Sequence, residues 1–155
     1  MRTEQATSSR CHVRTSDSGR GVYASEPIAA GECVLVLPAV FDTTPGRHTI
    51  QVGAGRHQAF TNEIDDFLNH SCDPNAVVDA ENLRILALRP IAAGEEVTFH
   101  YEASEWDMAE PFLCQCPSGT PRLIRGFRHL SAAERALLAP LVPTWLRALD
   151  APPGT

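Results

Sequence analysis

Hydrophobic and polar positions change their period near residue 131. Before that point, short runs rich in branched and aromatic residues are separated by glycine and proline, which is typical of β-strands. The segment Asp79-Ala80-Glu81-Asn82 fits a tight connection, so we expect a hairpin over 76–88. The predicted strands are 22–24, 33–37, 48–52, 76–79, 83–88 and 97–101. The pattern therefore predicts a mainly β body.

Only the C-terminal part shows a helical period. Ser131 and Glu134 have the spacing of a capping box, so a helix is expected to begin there. Pro140 is expected to end or kink this helix, and Pro143 to open a second short one. The apolar face of the second helix would carry Trp145, Leu146 and Leu149. We assign 131–150 to C-terminal helices that cover the β body.

One hexapeptide occurs twice. The segment Pro27-Ile28-Ala29-Ala30-Gly31-Glu32 recurs as Pro90-Ile91-Ala92-Ala93-Gly94-Glu95, each time before a predicted strand. Two copies are too few for a solenoid. A glycine-containing turn used twice and a chance similarity of common turn residues both explain the repetition.

Composition narrows the class of protein. The 155 residues suffice for one hydrophobic core, and 43% hydrophobic with 21% charged residues is typical of a folded domain. The net charge of −6 argues against a nucleic-acid binder. No apolar run is long enough for a membrane span, and residues 1–10 lack the apolar core of a signal peptide. We therefore expect a cytoplasmic protein without nucleic-acid or membrane partners, with residues 1–10 disordered.

The basic and sulfur-containing residues add two constraints. All 13 basic residues are arginine, so the chain contains no lysine. The five cysteines are Cys11, Cys33, Cys72, Cys114 and Cys116. An odd number of cysteines without a secretory signal argues against a disulfide framework and leaves reduced thiols or a metal site.

Three segments carry candidate chemistry: 19–23, 69–75 and 94–101. Taken alone, the first, Gly19-Arg20-Gly21-Val22-Tyr23, favours a plain turn. The second, Asn69-His70-Ser71-Cys72-Asp73-Pro74-Asn75, concentrates short hydrogen-bonding side chains, which favours a network that orients a polar ligand. A nucleophilic Cys72 activated by His70 is the alternative for this segment.

In this order and spacing, the three segments resemble the SET-domain family of S-adenosylmethionine-dependent protein lysine methyltransferases, from about Ser18 to Leu130. The resemblance implies a β-rich α+β fold, a β-clip-like arrangement of small twisted sheets with short C-terminal helices. It also implies a pseudoknot, in which the Asn69 segment is threaded through a loop closed by 97–101. Residues 11–113 would form the SET catalytic domain and 114–130 a degenerate post-SET segment.

The resemblance also implies roles for individual residues. Tyr101 matches the catalytic tyrosine, and because a phenol with a pKa of about 10 is a poor base, we expect it to orient and stabilise the reacting groups. The expected contacts to S-adenosylmethionine come from Gly19, Gly21, Val22, Tyr23, Asn69, His70, Tyr101, Trp106 and Phe112. Ordinary packing is the alternative for Trp106 and Phe112. The expected substrate contacts come from His48, Phe99 and His100.

The sequence departs from the family at a metal motif. Cys114-Gln115-Cys116 resembles the start of the post-SET zinc motif, but Thr120 and Pro121 stand where a third cysteine would fall. Cys72, Cys114 and Cys116 leave a structural zinc site one ligand short. His129 has no spacing that recommends it as the fourth. We therefore expect no zinc and thiols that pack without metal.

Two further departures concern the acceptor. His100 stands where the family commonly has aspartate, so it either titrates near pH 6.5 beside the channel or points outward. His48 lies where many relatives carry a channel tyrosine. With only Tyr23 and Tyr101 in the chain, a channel of several tyrosines cannot be built.

Three functions follow. The first is methyl transfer to an amine, with a lysine of a protein or peptide as the first candidate. The second is a tailoring enzyme that uses S-adenosylmethionine on a small-molecule amine, which the scarcity of tyrosines favours. The third is a catalytically silent interaction module, which the incomplete metal motif favours. The sequence carries no signal for the oligomeric state.

Overall fold

The computed structural model describes residues 10–17, 19–116 and 121–149. The expectation of disorder at the N-terminus falls on residues that, apart from Arg10, lie outside these ranges. Thr120 also lies outside them. The strands of the described residues are β1 (Cys11–Ser16), β2 (Gly19–Ala24), β3 (Cys33–Val36), β4 (Phe41–Asp42), β5 (Ile50–Gly53), β6 (Arg56–Gln58), β7 (Asn69–His70), β8 (Ala76–Asp79), β9 (Arg84–Ala87), β10 (Glu96–Phe99), β11 (Phe112–Leu113) and β12 (Leu123–Ile124).

Helical structure is short and lies mostly at the C-terminus. Among the described residues, the two α-helices are α1 (Ala132–Leu138) and α2 (Thr144–Leu149). Single 3₁₀ turns are formed by Ile64–Phe67, Tyr101–Ala103, Phe127–His129 and Ala139–Leu141. None of the described helices combines the length and the apolar character that a bilayer crossing requires.

The strands form four small sheets. Their orders are β1-β2-β10-β7, β3-β9-β8, β4-β6-β5 and β11-β12. Neighbouring strands are antiparallel except β7 and β10, which are parallel, with Asn69 opposite Thr98 and His70 opposite Phe99. The predicted mainly β fold of small sheets is confirmed, and β7 lies beside β10 as the predicted pseudoknot requires.

Each of the six predicted strands overlaps an observed one, and the hairpin over 76–88 is confirmed. Asp79 pairs with Arg84, so the loop is 80–83, one residue later than predicted. Leu83 closes it with a φ of 53°. Neither β7 nor β11 was predicted, because each has only two residues and is defined by its partner strand rather than by a periodic pattern.

The repeated hexapeptide is one turn used twice. Gly31 and Gly94 have φ values of 84° and 85°, a conformation that favours glycine. The glutamate of each copy accepts a hydrogen bond from the backbone N–H three residues earlier, at 3.0 and 2.9 Å. Ile28 and Ile91, each 1% exposed, join the two turns in an antiparallel bridge. The similarity is therefore structural and not due to chance.

The C-terminal helices begin where the sequence predicts. Ser131 Oγ accepts from the N–H of Glu134 at 3.1 Å, and the Glu134 carboxylate accepts from the N–H of Ser131 at 2.8 Å, which completes the capping box. Pro140 lies in a 3₁₀ turn after α1, and α2 follows Pro143.

Two hydrophobic clusters form the interior. The larger lies among the sheets and includes the fully buried Val22, Ile85 and Val97. The smaller one joins α1 and α2 to the segment after Tyr101, and its buried members are Ala103, Phe127, Leu130, Val142 and Leu146. The helical tail was expected to cover the β body, and it packs instead on this second cluster.

Candidate active site

The parallel pairing of β7 and β10 brings two distant segments together. Because His70 lies opposite Phe99, it is close to Tyr101, which follows β10 after one residue. The backbone N–H of Tyr101 donates to His70 Nδ1 at 3.1 Å. The Tyr101 hydroxyl donates to the carbonyl oxygen of Leu68, next to Asn69, at 2.6 Å. The phenol therefore lies beside the imidazole, with ring centroids 5.3 Å apart, and beside the backbone that leads into Asn69.

These groups line a cavity of about 1060 Å³. Ligand sites commonly have about 300–1,000 Å³, so the cavity has room for two small ligands or one large one. The predicted site residues among its lining are Gly19, His48, Asn69, His70, Phe99, Tyr101 and Phe112. Residues predicted for the site from segments far apart in the chain thus line one cavity, and their individual roles stay predictions.

Five predicted residues do not line the cavity: Gly21, Val22, Tyr23, His100 and Trp106. Val22 is fully buried in the larger cluster. The Tyr23 ring lies under the guanidinium of Arg14, 3.9 Å from its centroid. The backbone contacts predicted for 21–23 stay predictions. Gly21 is nevertheless constrained, since a Cβ there would lie 2.5 Å from a carboxylate oxygen of Glu96.

Trp106 and Phe112 were each expected either to contact the cofactor or to pack in the interior. Of these two residues, only Phe112 lines the cavity. Its ring centroid lies 5.8 Å from those of both His70 and Tyr101. Trp106 packs in the smaller cluster, with its ring 6.3 Å from that of Phe127. For Trp106 the structure supports the packing alternative.

The structure contradicts both expectations for His100. It is 5% exposed, so it does not point outward. Its Nδ1 accepts from the N–H of Glu102 and caps the 3₁₀ turn that begins at Tyr101. Burial lowers the pKa of His100 to about 4, so it does not titrate near pH 6.5. A histidine here has a structural role because the short turn needs a cap.

His70 is also neutral. Burial lowers its pKa to about 3, and the neighbouring His100 and Arg122 lower it further. Since Nδ1 accepts from the N–H of Tyr101, the ring proton lies on Nε2, which is 3.3 Å from Cys72 Sγ. His70 therefore fixes the backbone of Tyr101 and donates towards the thiol.

Tyr101 is held as a phenol. Burial raises its pKa above the usual value of 10, and the carboxyls of Glu105 and Glu96 raise it further. Its ring lies 4.9 Å from that of Phe99. Tyr101 therefore cannot act as a base near neutral pH, in agreement with the orienting role that the sequence predicts.

Asn69 offers an acceptor rather than a donor. Its Nδ2 donates to the carbonyl oxygen of Arg20 and to Glu96, both at 2.8 Å. Both N–H groups are thus used within the protein, and Oδ1 has no partner among the described residues. Glu96 was not among the predicted site residues, although it lies in the candidate segment 94–101.

Four possible metal ligands lie together: His70, Cys72, Cys114 and Cys116, whose ligand atoms are within 4.8 Å of one another. The expectation that a fourth ligand is lacking overlooked His70, because that residue was assigned to the cofactor. Three cysteines and one histidine are a common zinc set. The proposed fourth candidate, His129, instead lies 2.9 Å from Asp107.

We call His70, Cys72, Cys114 and Cys116 the thiol cluster. Its hydrogen bonds do not fit a bound metal ion. A metal would need the lone pair of His70 Nε2, which requires a proton on Nδ1, and Nδ1 faces the N–H of Tyr101. The positively charged guanidinium of Arg122 lies near Cys72, and the backbone N–H of Arg122 donates to Cys114 Sγ at 3.5 Å. All five cysteines are free of disulfides. The absence of zinc stays a prediction.

Glu102 fastens the C-terminal segment to the site. It is 1% exposed and accepts from the N–H groups of Arg125 and Gly126, at 2.8 and 3.1 Å. It also accepts from the guanidinium of Arg122 at 3.0 Å. Because Glu102 directly follows Tyr101, these hydrogen bonds tie the segment 122–126 to the site.

Glu105 is a second buried carboxyl in this region and lines the cavity. Its Oε2 accepts from the N–H of Gln51 at 2.8 Å, and its own N–H donates to the carbonyl oxygen of Tyr101. Burial raises its pKa to about 7. Neither Glu102 nor Glu105 was predicted, since nothing local distinguishes these two among the 19 acidic residues of the chain.

Comparisons with known proteins agree with this geometry. Methyltransferase flvH of Aspergillus flavus is 36% identical over 88 residues, which cover 55% of this chain and 49% of that protein. A histone-lysine N-methyltransferase, H3 lysine-36 specific, of Candida albicans is 40% identical over 80 residues, which cover 48% of this chain and 9% of that protein. The chain thus spans about half the length of the first relative and a small part of the second.

A solved structure shares the fold. It is KRYPTONITE in complex with mCHH DNA, H3(1-15) peptide and SAH, with a TM-score of 0.55 and 22% identity over 74% of this chain and 29% of that one. A family model described as SET domain matches residues 19–102, more than half of the 155 residues. The matched range contains β7, β10 and Tyr101, so the chain belongs to the SET-domain family.

Proposed function

We propose that this protein is an S-adenosylmethionine-dependent methyltransferase that acts on an amine, with a lysine side chain of a protein or peptide as the first candidate. The observation that carries the proposal is the convergence of the Tyr101 hydroxyl, Asn69 and His70 on one cavity. The family supports the same chemistry, and so does the name of the relative that shares 36% of its residues over the matched region.

The residues present fit this cofactor. The Oδ1 of Asn69 can accept from the ammonium group of the methionine portion. Arg20 lines the cavity beside it, with its guanidinium 4.7 Å from the Phe67 ring, and can pair with the carboxylate. When bound, S-adenosylmethionine supplies a methyl group on a positively charged sulfur.

The chain's own residues position the reaction and exclude water. The rings of Phe99 and Phe112 pack beside Tyr101, at 4.9 and 5.8 Å between centroids. The Tyr101 proton is committed to the Leu68 carbonyl, so the lone pairs of the phenol oxygen are free to orient the reacting groups. Methyl transfer from sulfur to nitrogen needs alignment and a dry site more than a strong acid or base.

The class of acceptor has two candidates. The scarcity of tyrosine favours a small-molecule amine, because Tyr23 does not line the cavity and Tyr101 is the only tyrosine among its described lining residues. The negative net charge of −6 favours a basic peptide. The silent interaction module stays the third candidate, and turnover that depends on Tyr101 would exclude it.

The test compares Tyr101→Phe with Tyr23→Phe, which changes the other tyrosine, outside the cavity. We expect Tyr101→Phe to lower methyl transfer by about 100-fold or more, because a positioned polar group beside the reacting atoms is lost. Cofactor affinity, measured by calorimetry, should change little in both variants. Tyr23→Phe should keep wild-type activity.

Transfer of labelled methyl groups to separated protein and metabolite fractions of a lysate distinguishes the acceptors. Because the chain contains no lysine, the protein gives no background from lysine methylation of itself. Failure to bind the cofactor at millimolar concentration would refute the proposed function. Equal activity of wild type and Tyr101→Phe would refute the role of the phenol.

A further inference from the structure

Three buried carboxyl side chains line the cavity: Asp65, Asp66 and Glu105, which are 3, 5 and 6% exposed. Asp65 Oδ2 and Asp66 Oδ1 are buried and have no hydrogen-bond partner among the described residues. An ionised carboxylate that is buried without a partner is costly. The inner wall of the cavity therefore has carboxyl oxygens without partners, which a positively charged ligand could bind.

Glu105 is the carboxyl tied most directly to the reacting end of the cavity. Its backbone N–H donates to the carbonyl oxygen of Tyr101 at 2.8 Å. Among the charged groups, its carboxyl has the largest effect on the pKa of the Tyr101 phenol. The backbone N–H of Gln51 donates to Oε2 of Glu105, which is the hydrogen bond that holds this side chain. The other oxygen, Oε1, has no hydrogen-bond partner in the described part of the chain.

The chain supplies no cation to Glu105 among the described residues. Two arginines line the cavity, and each is engaged elsewhere: Arg20 lies over the Phe67 ring, and Arg47 lies 4.0 Å from Glu110 in a pair that is more than half exposed. Burial raises the pKa of both Glu105 and Asp65 to about 7. A bound cation would favour the ionised form of either group.

We propose that Glu105 recognises the cationic nitrogen of the methyl acceptor and thereby restricts acceptors to amines. The proposal rests on the proposed function and names the residue that selects its substrate class. An alkyl ammonium with a pKa of about 10 is charged at neutral pH, and it forms strong charge-assisted hydrogen bonds with a desolvated carboxylate. An alcohol of the same shape lacks this interaction.

The direct test uses n-butylamine, which has the length and charge of a lysine side chain, and n-butanol as its neutral analogue. Binding of each to wild type, Glu105→Gln and the control Glu81→Gln, at an exposed position outside the cavity lining, is followed by NMR titration, with and without S-adenosylhomocysteine. We expect Glu105→Gln to lower the affinity for butylammonium at least 10-fold and to leave butanol unchanged. Glu81→Gln should behave as wild type.

The cofactor is the other possible source of positive charge, through its sulfonium. If Glu105 served the sulfonium, Glu105→Gln would weaken S-adenosylmethionine relative to S-adenosylhomocysteine and leave butylammonium binding unchanged, which would overturn the proposal. Unchanged binding of both cations would also overturn it. In either case cofactor binding and methyl transfer by wild type would stand, so failure of this inference is distinct from failure of the proposed function.

A measurement on the wild-type protein covers the case in which Glu105→Gln does not fold. Between pH 6 and 8 butylammonium stays charged while Glu105 ionises, so its affinity should rise with pH and that of butanol should stay constant. The other titratable groups around the cavity are His48, Asp65, Asp66, His70, Glu96, Tyr101, Glu110, Cys114 and Cys116, and the charged arginines there are Arg20 and Arg47. Carbon NMR of the labelled carboxyls assigns the transition to Glu105 or Asp65. A constant butylammonium affinity, or one that follows Asp65, would overturn the proposal.

Discussion

The β body and the C-terminal region are held together by different forces. The larger hydrophobic cluster draws on strands from the whole first hundred residues, and the smaller one has five buried members. The C-terminal region compensates with buried polar groups, chiefly Glu102 and the hydrogen bonds of Gln51 with Glu105 and Trp106. The cavity lies where the two regions meet, so its shape depends on both kinds of contact.

The difference teaches that stability and site geometry can be perturbed separately. Loss of apolar volume in the β body should unfold the whole chain, because its strands share one core. Loss of a polar contact to Glu102 should first loosen the segment that follows it. Three substitutions test this contrast.

The largest effect is expected for Ile85→Ala in the β body. Ile85 is fully buried at the centre of the sheet β3-β9-β8. Its truncation leaves a cavity and should lower the free energy of unfolding by about 4 kcal/mol. Chemical denaturation measures this change. Val36→Ala, at a position that is 71% exposed on the neighbouring strand, should cost less than about 0.5 kcal/mol.

The next effect is expected for Glu102→Gln. An amide cannot replace the carboxylate as acceptor for Arg122 and for two backbone N–H groups, so we expect a loss of about 3 kcal/mol. Hydrogen exchange should accelerate at Arg125 and Gly126 before it does in β9. Glu110→Gln, at an exposed position, is the matched control. Uniform acceleration across both regions would show that they unfold as one unit.

The smallest effect is a pH dependence at Asp65. Burial raises its pKa to about 7, so between the unfolded pKa near 4 and pH 7 the folded state binds the extra proton. Asp65 therefore stabilises the protein at low pH, and this contribution is lost as pH rises. Between pH 6 and 8 the contribution of Asp65 to this loss should be about 1 kcal/mol. Burial also raises the pKa of Glu105 to about 7, so Asp65→Asn should reduce the wild-type slope to about half rather than abolish it.

Asp79 is the contrasting control for this pH dependence. It lies 2.8 Å from Arg84, and although burial acts in the opposite direction, its hydrogen bonds to Arg84 and Asn82 lower its pKa. The stability it contributes is present above the unfolded pKa and is lost only as pH falls further. Asp79→Asn should thus keep the wild-type slope between pH 6 and 8. A wild-type slope in Asp65→Asn would contradict the assignment.

Local signals account for what the sequence predicted well. The capping box of Ser131 and Glu134 involves residues three positions apart, so it needs no knowledge of the fold. The strands of the hairpin over 76–88 are rich in branched residues and pair with their nearest neighbour in sequence. The three motifs of the site were located through a family resemblance, which carries long-range information that periodicity lacks.

The missed features depend on contacts between distant residues. His70 joins the thiol cluster because β7 and the segment after β11 are adjacent in space, which the spacing of cysteines cannot reveal. The expected exposure of His100 was wrong because a buried 3₁₀ turn needs a cap, and two-residue strands and single turns leave no periodic pattern. Buried glutamates are likewise identical in sequence to exposed ones.

The parallel pairing of Asn69 with Thr98 also has a consequence for folding. The hairpin of β8 and β9 lies inside the loop that this pairing closes, so its local contacts lower the entropy cost of closure. The pairing of β2 with β10 closes a longer loop around the same strand. We therefore expect the pocket to form only when β10 has joined strands from both ends of the β body.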